Sequence, residues 1–275
     1  MKRRYLELDV FGSSPGKGNP LGVVLDAQGL NTSEMQAFAN WLNFSETTFV
    51  SDYTKDNYDI RIFTPQEELP FAGHPTIGTA TALLHLGLLQ PGEAIQHCAS
   101  GSLPLRLQED CVFVRTPEAK VIAQPKLTNH IETLVGIKLN HPPASIDVGP
   151  IWLTANLKNR AELLQVNMDF TKLETFIDTT SSIGLNLYAL NDGQVFVRSF
   201  VPEPGIMEDP VCGSGNAAVA AHLRHTDGTK LSGLRYQARQ GECVGRDGLV
   251  EISIEDQEIW LGGQAHVVVE GMVNL

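Results

Sequence analysis

An internal repeat is the feature that most constrains how this chain of 275 residues can fold. The segment Arg61–Pro65 (RIFTP) recurs as Arg198–Pro202 (RSFVP), 137 positions later. A glycine-containing turn follows each copy, and then a helix of small and apolar residues, expected from Thr76 to about Leu88 and from about Gly215 to Leu223. A helix without a polar face must be covered on every side by other elements. The repeat therefore predicts two similar halves, each built around one buried helix.

Short β-like runs, separated by glycine, proline, asparagine and aspartate, surround the first buried helix. A further helix is expected from Thr32 to about Leu42, where a capping pattern precedes apolar residues at helical spacing. We interpret each half as a barrel-like sheet around its central helix. The runs in the first half are Tyr5–Val10, Leu21–Leu25, Thr47–Val50, Tyr58–Phe63, Ala94–Cys98, Leu103–Leu107 and Val112–Arg115.

The charge balance excludes several classes of partner. The chain has 20 Lys and Arg against 32 Asp and Glu, a formal net charge of −12, and its one basic cluster is Lys2–Arg4. A nucleic acid would have to overcome this negative field. No apolar run reaches the roughly 18 residues that a membrane span needs, and Glu7 and Asp9 interrupt any signal peptide. We expect a cytoplasmic protein without nucleic-acid or membrane partners.

The cysteine spacing and the missing motifs limit the chemistry further. Cys98, Cys111, Cys212 and Cys243 show no C-x-x-C spacing, which argues against a zinc site and a disulfide framework. The chain also lacks a Walker A loop, a Rossmann fingerprint, and H-E-x-x-H and G-x-S-x-G motifs. Nothing in the sequence requires a metal or another cofactor, and we expect the thiols to be reduced.

The N-termini of the two buried helices are candidate binding sites. Amide groups and the helix dipole at such an end favour anions, and a glycine lets a ligand approach the backbone. Gly73 and Gly213 precede the two expected helices. We therefore expect them to contribute to the binding of a small-molecule carboxylate.

Glu46 and His74 are the candidates for proton transfer in the first half. Glu46 begins an apolar strand, and taken alone it fits a solvent-exposed strand end better than a catalytic role. A catalytic role requires a cleft, where desolvation raises the pKa of a carboxyl group. His74 lies between Gly73 and Pro75 near a helix N-terminus and fits equally a hydrogen-bonded loop histidine and a functional one.

The corresponding turn in the second half contains Asp209, Cys212 and Ser214. Asp209 fits an acidic residue near a helix start, and Ser214 fits an N-cap. Cys212 is a stronger candidate, because a helix N-terminus lowers the pKa of a thiol, which can then act as a base or nucleophile. An epimerase with two thiols needs a second cysteine, but the symmetric position is Ala72.

Motifs along nearly the whole chain resemble those of one known enzyme family. They are Asp9–Phe11, Gly18–Pro20, Asn43–Val50, Arg61–Pro65 with Glu68–Thr76, Glu208–Pro210, Gly213–Ser214 and Gln240–Arg246. On these motifs the chain resembles the phenazine-biosynthesis PhzF-like isomerases, a branch of the diaminopimelate epimerase-like superfamily.

The resemblance implies an α+β fold of two pseudo-symmetric halves, each a mostly antiparallel β-barrel wrapped around a central α-helix. In such folds the last strand often returns to the first half. We therefore expect an N-terminal half of residues 1–117 with about 264–275, and a C-terminal half of residues 118–263. The resemblance also implies a homodimer and no cofactor.

For function, the resemblance implies a cofactor-independent isomerase that moves a proton between carbons of a small cyclic or unsaturated carboxylate. The family's best-understood substrate is trans-2,3-dihydro-3-hydroxyanthranilate. Glu46 would be the general acid/base in the cleft between the halves, with His74 and Asp209 as catalytic partners. Gly73, Gly213, Ser214 and Cys212 would bind the substrate.

Two alternatives remain. Cys212 stands where many relatives have threonine and where the epimerase branch has one of its paired cysteines, so an amino-acid racemase or epimerase is one alternative. The other is a non-catalytic protein that binds a small molecule.

Overall fold

The computed structural model describes residues 1–203, 206–227 and 233–275. The chain forms two compact units. Unit 1 comprises Met1–Arg115 and Gly262–Leu275, and unit 2 comprises Thr116–Leu261. From the sequence, the corresponding changes are expected after residue 117 and near residue 264.

The elements of both units alternate along the chain in a similar order. Unit 1 contains β1 (Lys2–Val10), β2 (Asn19–Val24), α1 (Thr32–Leu42), β3 (Glu46–Tyr53), β4 (Asn57–Phe63), β5 (Glu68–Leu69), α2 (Gly73–His85), β6 (Gly92–Cys98), β7 (Gly101–Leu107) and β8 (Val112–Arg115). The elements that follow are β9 (Lys120–Ala123), α3 (Thr128–Val135), β10 (His141–Asp147), β11 (Ile151–Leu157), α4 (Arg160–Gln165), α5 (Phe170–Ile177), β12 (Gly184–Asn191), β13 (Gln194–Glu203), β14 (Ile206–Asp209), α6 (Gly213–Asp227), β15 (Arg235–Gln240), β16 (Gly248–Glu255) and β17 (Glu258–Gly263). The last strand, β18 (Ala265–Asn274), belongs to unit 1.

The sheet of unit 1 is mostly antiparallel and surrounds α2. β1 pairs antiparallel with β18 and β2, β2 pairs parallel with β3, and β3 pairs antiparallel with β4. β4 then pairs antiparallel with β5 and parallel with β6, and β6, β7 and β8 are antiparallel neighbours. Helix α2 contacts β1, β2, β3, β8 and β18, and its residues from Gly73 to Ala80 are all buried. The small residues permit this close approach: a Cβ on Gly78 would lie 2.4 Å from Leu21 Cδ2.

Unit 2 repeats this pairing order around α6. β10 pairs antiparallel with β9 and β11, β11 pairs parallel with β12, and β12 pairs antiparallel with β13. β13 pairs antiparallel with β14 and parallel with β15, and β15 and β16 are antiparallel. Helix α6 contacts β9, β10, β11, β12, β13 and β16. The expectation of two similar halves, each with a central helix, is therefore confirmed.

An arginine–glutamate pair marks the repeat in both units. In unit 1, Arg61 donates from Nε and Nη2 to the two carboxylate oxygens of Glu68, at 2.7 and 2.6 Å. In unit 2, Arg198 donates in the same way to Glu208, at 3.0 and 2.7 Å. The first pair joins β4 to β5, and the second joins β13 to β14. The pairs therefore fix the short strand that leads into each central helix.

Amphipathic helices cover the outer faces of both sheets. Met35 and Ala39 of α1 pack on Phe49 and Phe63, while the neighbouring Thr48 faces the other way and hydrogen bonds to Thr79 of α2. In unit 2, helices α3, α4 and α5 cover strands β11, β12 and β13 through a second apolar cluster. Among the described residues, no helix combines the length and hydropathy that crossing a bilayer requires.

The helix boundaries differ from the sequence expectations in a consistent way. α2 begins at Gly73, three residues before the expected start, and ends at His85 rather than near Leu88. α6 begins at Gly213 rather than Gly215. Glycine and proline read as turn residues in a sequence, but both are accepted in the first turn of a helix, where amide groups lack partners within the helix. α1 has its expected range, with Asn31 as the N-cap and Glu34 completing the capping box.

Candidate active site

Glu46 and His74 form a direct contact in unit 1. Glu46 is the first residue of β3, and His74 is the second residue of α2. The Nδ1 atom of His74 lies 2.8 Å from Oε2 of Glu46, and its Nε2 atom lies 3.1 Å from the carbonyl oxygen of Asn19. The side chain of His74 is 5% exposed, and that of Glu46 is 18% exposed. The carboxylate of Glu46, the predicted general acid/base, is therefore largely buried but still partly accessible to solvent.

The acceptor at Asn19 restricts the protonation states of this pair. A carbonyl oxygen can only accept, so Nε2 of His74 carries a hydrogen. If Glu46 is ionised, Nδ1 must also carry a hydrogen in order to donate, and the ring is then an imidazolium. If the ring is neutral, Nδ1 accepts from a protonated Glu46. Both arrangements place one proton between Glu46 and His74, so the pair can hold a proton and release it through the carboxyl group.

The loop before β2 positions the Asn19 carbonyl. Asp9 Oδ2 accepts from the amides of Lys17 and Gly18, at 3.0 and 2.8 Å, which closes the loop between β1 and β2. Ser45, next to Glu46, donates from its hydroxyl to Oδ1 of Asn19 at 3.1 Å. Asn19 was part of a family motif in the sequence, but no local pattern pointed to its contact with His74.

The N-terminus of α2 has no side-chain cap. Ala72 is the N-cap residue, its backbone is extended, and its methyl group cannot accept a hydrogen bond. Gly73 follows it as the first residue of the helix and is buried. The positive end of the helix dipole therefore lies beside the Glu46–His74 pair, where it favours an anion and disfavours an imidazolium.

A second group of predicted residues meets at the N-terminus of α6 in unit 2. Cys212 directly precedes the helix, and its Sγ atom accepts from the amide of Gly215 at 3.3 Å and lies 3.5 Å from Ser214 Oγ. The hydroxyl oxygen of Ser214 accepts from the indole N–H of Trp152 at 3.0 Å. With one lone pair of Ser214 occupied by the indole, the Ser214 O–H can donate either to Cys212 Sγ or to a ligand. This arrangement suits the binding of an oxyanion.

A buried glutamine holds the turn that contains these residues. Gln240, 3% exposed, accepts at Oε1 from the Cys212 amide at 3.2 Å and from Asn216 Nδ2 at 2.7 Å. Its Nε2 donates to the carbonyl oxygen of Asp209 at 3.0 Å and to Ser199 Oγ at 3.2 Å. The Gln240 side chain therefore ties the end of β14 to the start of α6.

Asp209 ends β14 and is partly exposed. Its carboxylate Oδ1 accepts from the amide of Val211 at 3.0 Å, which closes the turn before Cys212. This hydrogen bond fits the local role considered in the sequence.

The two helix starts differ at the position of the thiol. Ala72 precedes the first residue of α2 as Cys212 precedes that of α6. The residue in unit 1 that corresponds to Cys212 is therefore a methyl-bearing alanine, as the sequence repeat suggested. Within the described parts of the chain, no three His, Cys, Asp or Glu side chains are grouped as a metal site requires.

Comparisons with known proteins agree with this architecture. A model of the phenazine biosynthesis-like protein family matches residues 8–271. A protein of Pseudomonas chlororaphis named trans-2,3-dihydro-3-hydroxyanthranilate isomerase is 32% identical over 256 residues, which cover 90% of this chain and 88% of that protein. Antisense-enhancing sequence 1 of Schizosaccharomyces pombe is 33% identical over an alignment of 288 positions, which spans 97% of each chain.

A solved structure shows the same fold. The crystal structure of a PhzF-family phenazine biosynthesis protein from Bacillus anthracis matches with a TM-score of 0.86 over 100% of both chains, at 23% sequence identity. The predicted α+β fold of the diaminopimelate epimerase-like type is thus confirmed. Together, the family match and the curated relatives show that this chain belongs to the phenazine biosynthesis-like (PhzF) family of isomerases.

Proposed function

We propose that the protein is a cofactor-independent isomerase that moves a proton between two carbons of a small cyclic or unsaturated carboxylate, with Glu46 as the general acid/base. The observation that carries the proposal is the contact of 2.8 Å between Glu46 and His74, which are otherwise 28 positions apart in the chain. The P. chlororaphis relative named trans-2,3-dihydro-3-hydroxyanthranilate isomerase supplies the first substrate to test.

In the proposed reaction, the Glu46 carboxylate takes a proton from one ring carbon, and a proton returns at another carbon as the double bonds move. One carboxyl group can perform both steps if it stays within reach of both carbons. His74 would hold the Glu46 carboxyl group in place throughout and stabilise its negative charge before the first transfer and after the second. Because Nε2 of His74 is held at the Asn19 carbonyl, the ring keeps one orientation throughout.

The anionic group of the substrate needs hydrogen-bond donors that do not themselves take up the transferred proton. We assign Gly73 in unit 1 and Gly213, Ser214 and Cys212 in unit 2 to this binding role. The indole N–H of Trp152 supports the assignment of Ser214, because it occupies an acceptor site of the hydroxyl and orients its O–H as a donor to Cys212 Sγ or to a ligand. Asp209, whose carboxylate closes the turn before Cys212, is assigned as a second catalytic carboxylate.

The racemase alternative is less well supported. A two-base exchange at one carbon needs groups on opposite faces of that carbon, and a two-thiol version places a cysteine at each helix start. Ala72 provides no thiol at the start of α2. We therefore do not assign Cys212 to proton transfer.

The test is NMR spectroscopy of the purified protein with trans-2,3-dihydro-3-hydroxyanthranilate in deuterated water. Conversion with deuterium at a ring carbon is the expected result, because the base exchanges its proton with solvent. The Glu46→Gln variant should lose about 10²–10⁴-fold in rate, the range typical of a general acid/base. The matched control is Glu67→Gln, since Glu67 is an exposed glutamate of the same unit.

Full activity of Glu46→Gln would overturn the assignment of the base. Absence of conversion by the wild type would reject this substrate, and the assay would move to cyclic carboxylates and amino acids. Tight binding of such a ligand without any deuterium exchange would instead favour the non-catalytic alternative.

A further inference from the structure

A cavity of about 530 Å³ lies in unit 2 on the outer face of the sheet. Arg239 and Gln240 are consecutive residues of β15, and the Gln240 side chain points to Asn216 on α6. Because successive side chains of a strand point to opposite faces, Arg239 points away from α6. Arg239 lines the cavity beside its cross-strand neighbour Phe196. The cavity therefore opens on the face of β15 opposite the Cys212–Ser214 group.

Three arginines of this cavity, Arg160, Arg239 and Arg246, retain donors that the described residues do not use. Arg160 reaches both oxygens of Glu242 through Nη2 alone, at 2.5 and 2.7 Å, and its Nε is buried without a partner. Arg239 donates from Nη1 to Asp247 at 2.8 Å. The exposed side chain of Arg246 makes no hydrogen bond or ion pair within the described part of the chain.

The charge of the cavity contrasts with that of the whole protein. Arg198, a fourth lining arginine, is neutralised by its buried pair with Glu208. The remaining three arginines face the two carboxylates of Glu242 and Asp247, which leaves an excess of one positive charge in a chain of net charge −12. Burial raises the pKa of the Cys243 thiol, so the thiol adds no negative charge at neutral pH.

The walls combine these cations with an apolar surface. Leu163 and Leu164 of α4 line the cavity together with Phe196, and the guanidinium of Arg160 lies 5.1 Å from the centre of the Phe196 ring. Guanidinium groups recognise phosphate and carboxylate oxygens by paired hydrogen bonds. The volume is in the range of small-molecule sites.

We propose that this cavity is a binding site for a small organic oxyanion, in which a phosphate or carboxylate contacts Arg160, Arg239 and Arg246 and an apolar body rests on Phe196 and the two leucines. None of the proposed catalytic residues lines this cavity, and the proposal does not depend on the isomerase reaction.

The test uses phenyl phosphate, benzoate and inorganic phosphate as probes. Binding is measured by calorimetry and by ¹H–¹⁵N NMR. The ionic strength is held constant with chloride, because screening by added salt alone changes interactions between surface charges. We expect saturable binding with shifts at the amides of residues 241–246. Arg239→Gln and Arg246→Gln should each weaken binding at least tenfold. Arg235→Gln is the control, since Arg235 is an exposed arginine at the start of the same strand and lies outside the cavity.

The three probes separate the two kinds of oxyanion. Tighter binding of phenyl phosphate than of benzoate would assign a phosphate, and the reverse would assign a carboxylate. Inorganic phosphate that bound as tightly as phenyl phosphate would contradict the apolar part of the proposal.

Three results would overturn the whole proposal. They are the absence of saturable binding by any probe, an equal loss in Arg235→Gln, and NMR shifts at residues 212–216 instead of 241–246. Because Arg246 is exposed, the Arg246→Gln variant keeps the test valid even if Arg239→Gln folds poorly.

Discussion

Gly184 on β12 occupies the register position that Glu46 occupies on β3. In the parallel pair β2–β3, Glu46 lies opposite Leu21, and in the parallel pair β11–β12, Gly184 lies opposite Trp152. The antiparallel partners agree with this match. Three positions after Glu46, Phe49 pairs with Arg61. Three positions after Gly184, Leu187 pairs with Arg198, the corresponding arginine of the repeat. The carboxylate of unit 1 therefore has no counterpart in unit 2.

The space beside Gly184 excludes any side chain. A Cβ there would lie 2.3 Å from the carbonyl oxygen of Phe200 and 2.9 Å from Cζ3 of Trp152. We expect Gly184→Ala to lower the free energy of unfolding by about 1–3 kcal/mol, because the strand and the indole must move apart. Urea denaturation measures this change. Gly271→Ala is the control, since a Cβ on Gly271 meets no atom within 4 Å. Equal stabilities of the two variants would show that the contact at Gly184 is not restrictive.

The protonation of His74 is testable without a substrate. Because Nε2 faces a carbonyl oxygen, ¹⁵N NMR should show a protonated Nε2 over the whole pH range in which the protein is folded. An unprotonated Nε2 in His74 would contradict the proposed hydrogen bond. If the isomerase assay succeeds, His74→Phe should lower kcat/KM by about 10²-fold through misplacement of Glu46.

The hydrogen bond from Trp152 to Ser214 predicts coupling between the two residues. Trp152→Phe removes the N–H and keeps an aromatic ring, and Ser214→Ala removes the acceptor. We expect a double-mutant cycle on the free energy of unfolding to give an interaction energy of about 0.5–1.5 kcal/mol. Strict additivity would mean that the hydrogen bond does not contribute in solution. With substrate, Trp152→Phe should raise KM and leave kcat nearly unchanged.

The stability of unit 1 at low pH should depend on Asp26. Hydrogen bonds from Arg4 Nε at 3.1 Å and from the Tyr53 hydroxyl at 2.9 Å hold the pKa of the Asp26 carboxyl below its usual value of 3.8, and the Arg4 bond is the largest cause. A depressed pKa in the folded state contributes stability above the unfolded pKa and loses it as the pH falls through the folded one.

Asp26→Asn should therefore lower the melting temperature at pH 7, and the difference from the wild type should shrink as the pH falls below about 4. Asparagine tolerates the positive φ of 57° at this position, so the substitution tests the charge. Thermal denaturation between pH 7 and pH 3 measures the effect. Asp52→Asn, an exposed aspartate of β3, is the control. A difference that grew on acidification would contradict the assigned direction of the pKa.

Several features of the fold were predictable because they depend on residues close together in sequence. The alternation of apolar residues placed strands such as β4 and β8 to within one residue, and the all-apolar composition of α2 identified it as a central helix. The recurrence of RIFTP as RSFVP revealed the duplication. The starts of α2 and α6 were placed too late, because glycine and proline are turn signals in sequence and yet acceptable in a first helical turn.

The sequence alone thus determined that the chain folds as two similar halves around buried helices, with a glycine-containing turn close to the start of each helix. Only the tertiary structure decided which side chains meet. The contacts of His74 with Glu46 and Asn19, of Trp152 with Ser214, and of Gln240 with Cys212 span 28 or more positions along the chain. They are set by strand register and by how the helix sits within its sheet. A local pattern cannot fix these, because shifting a strand by one residue turns every side chain to the other face.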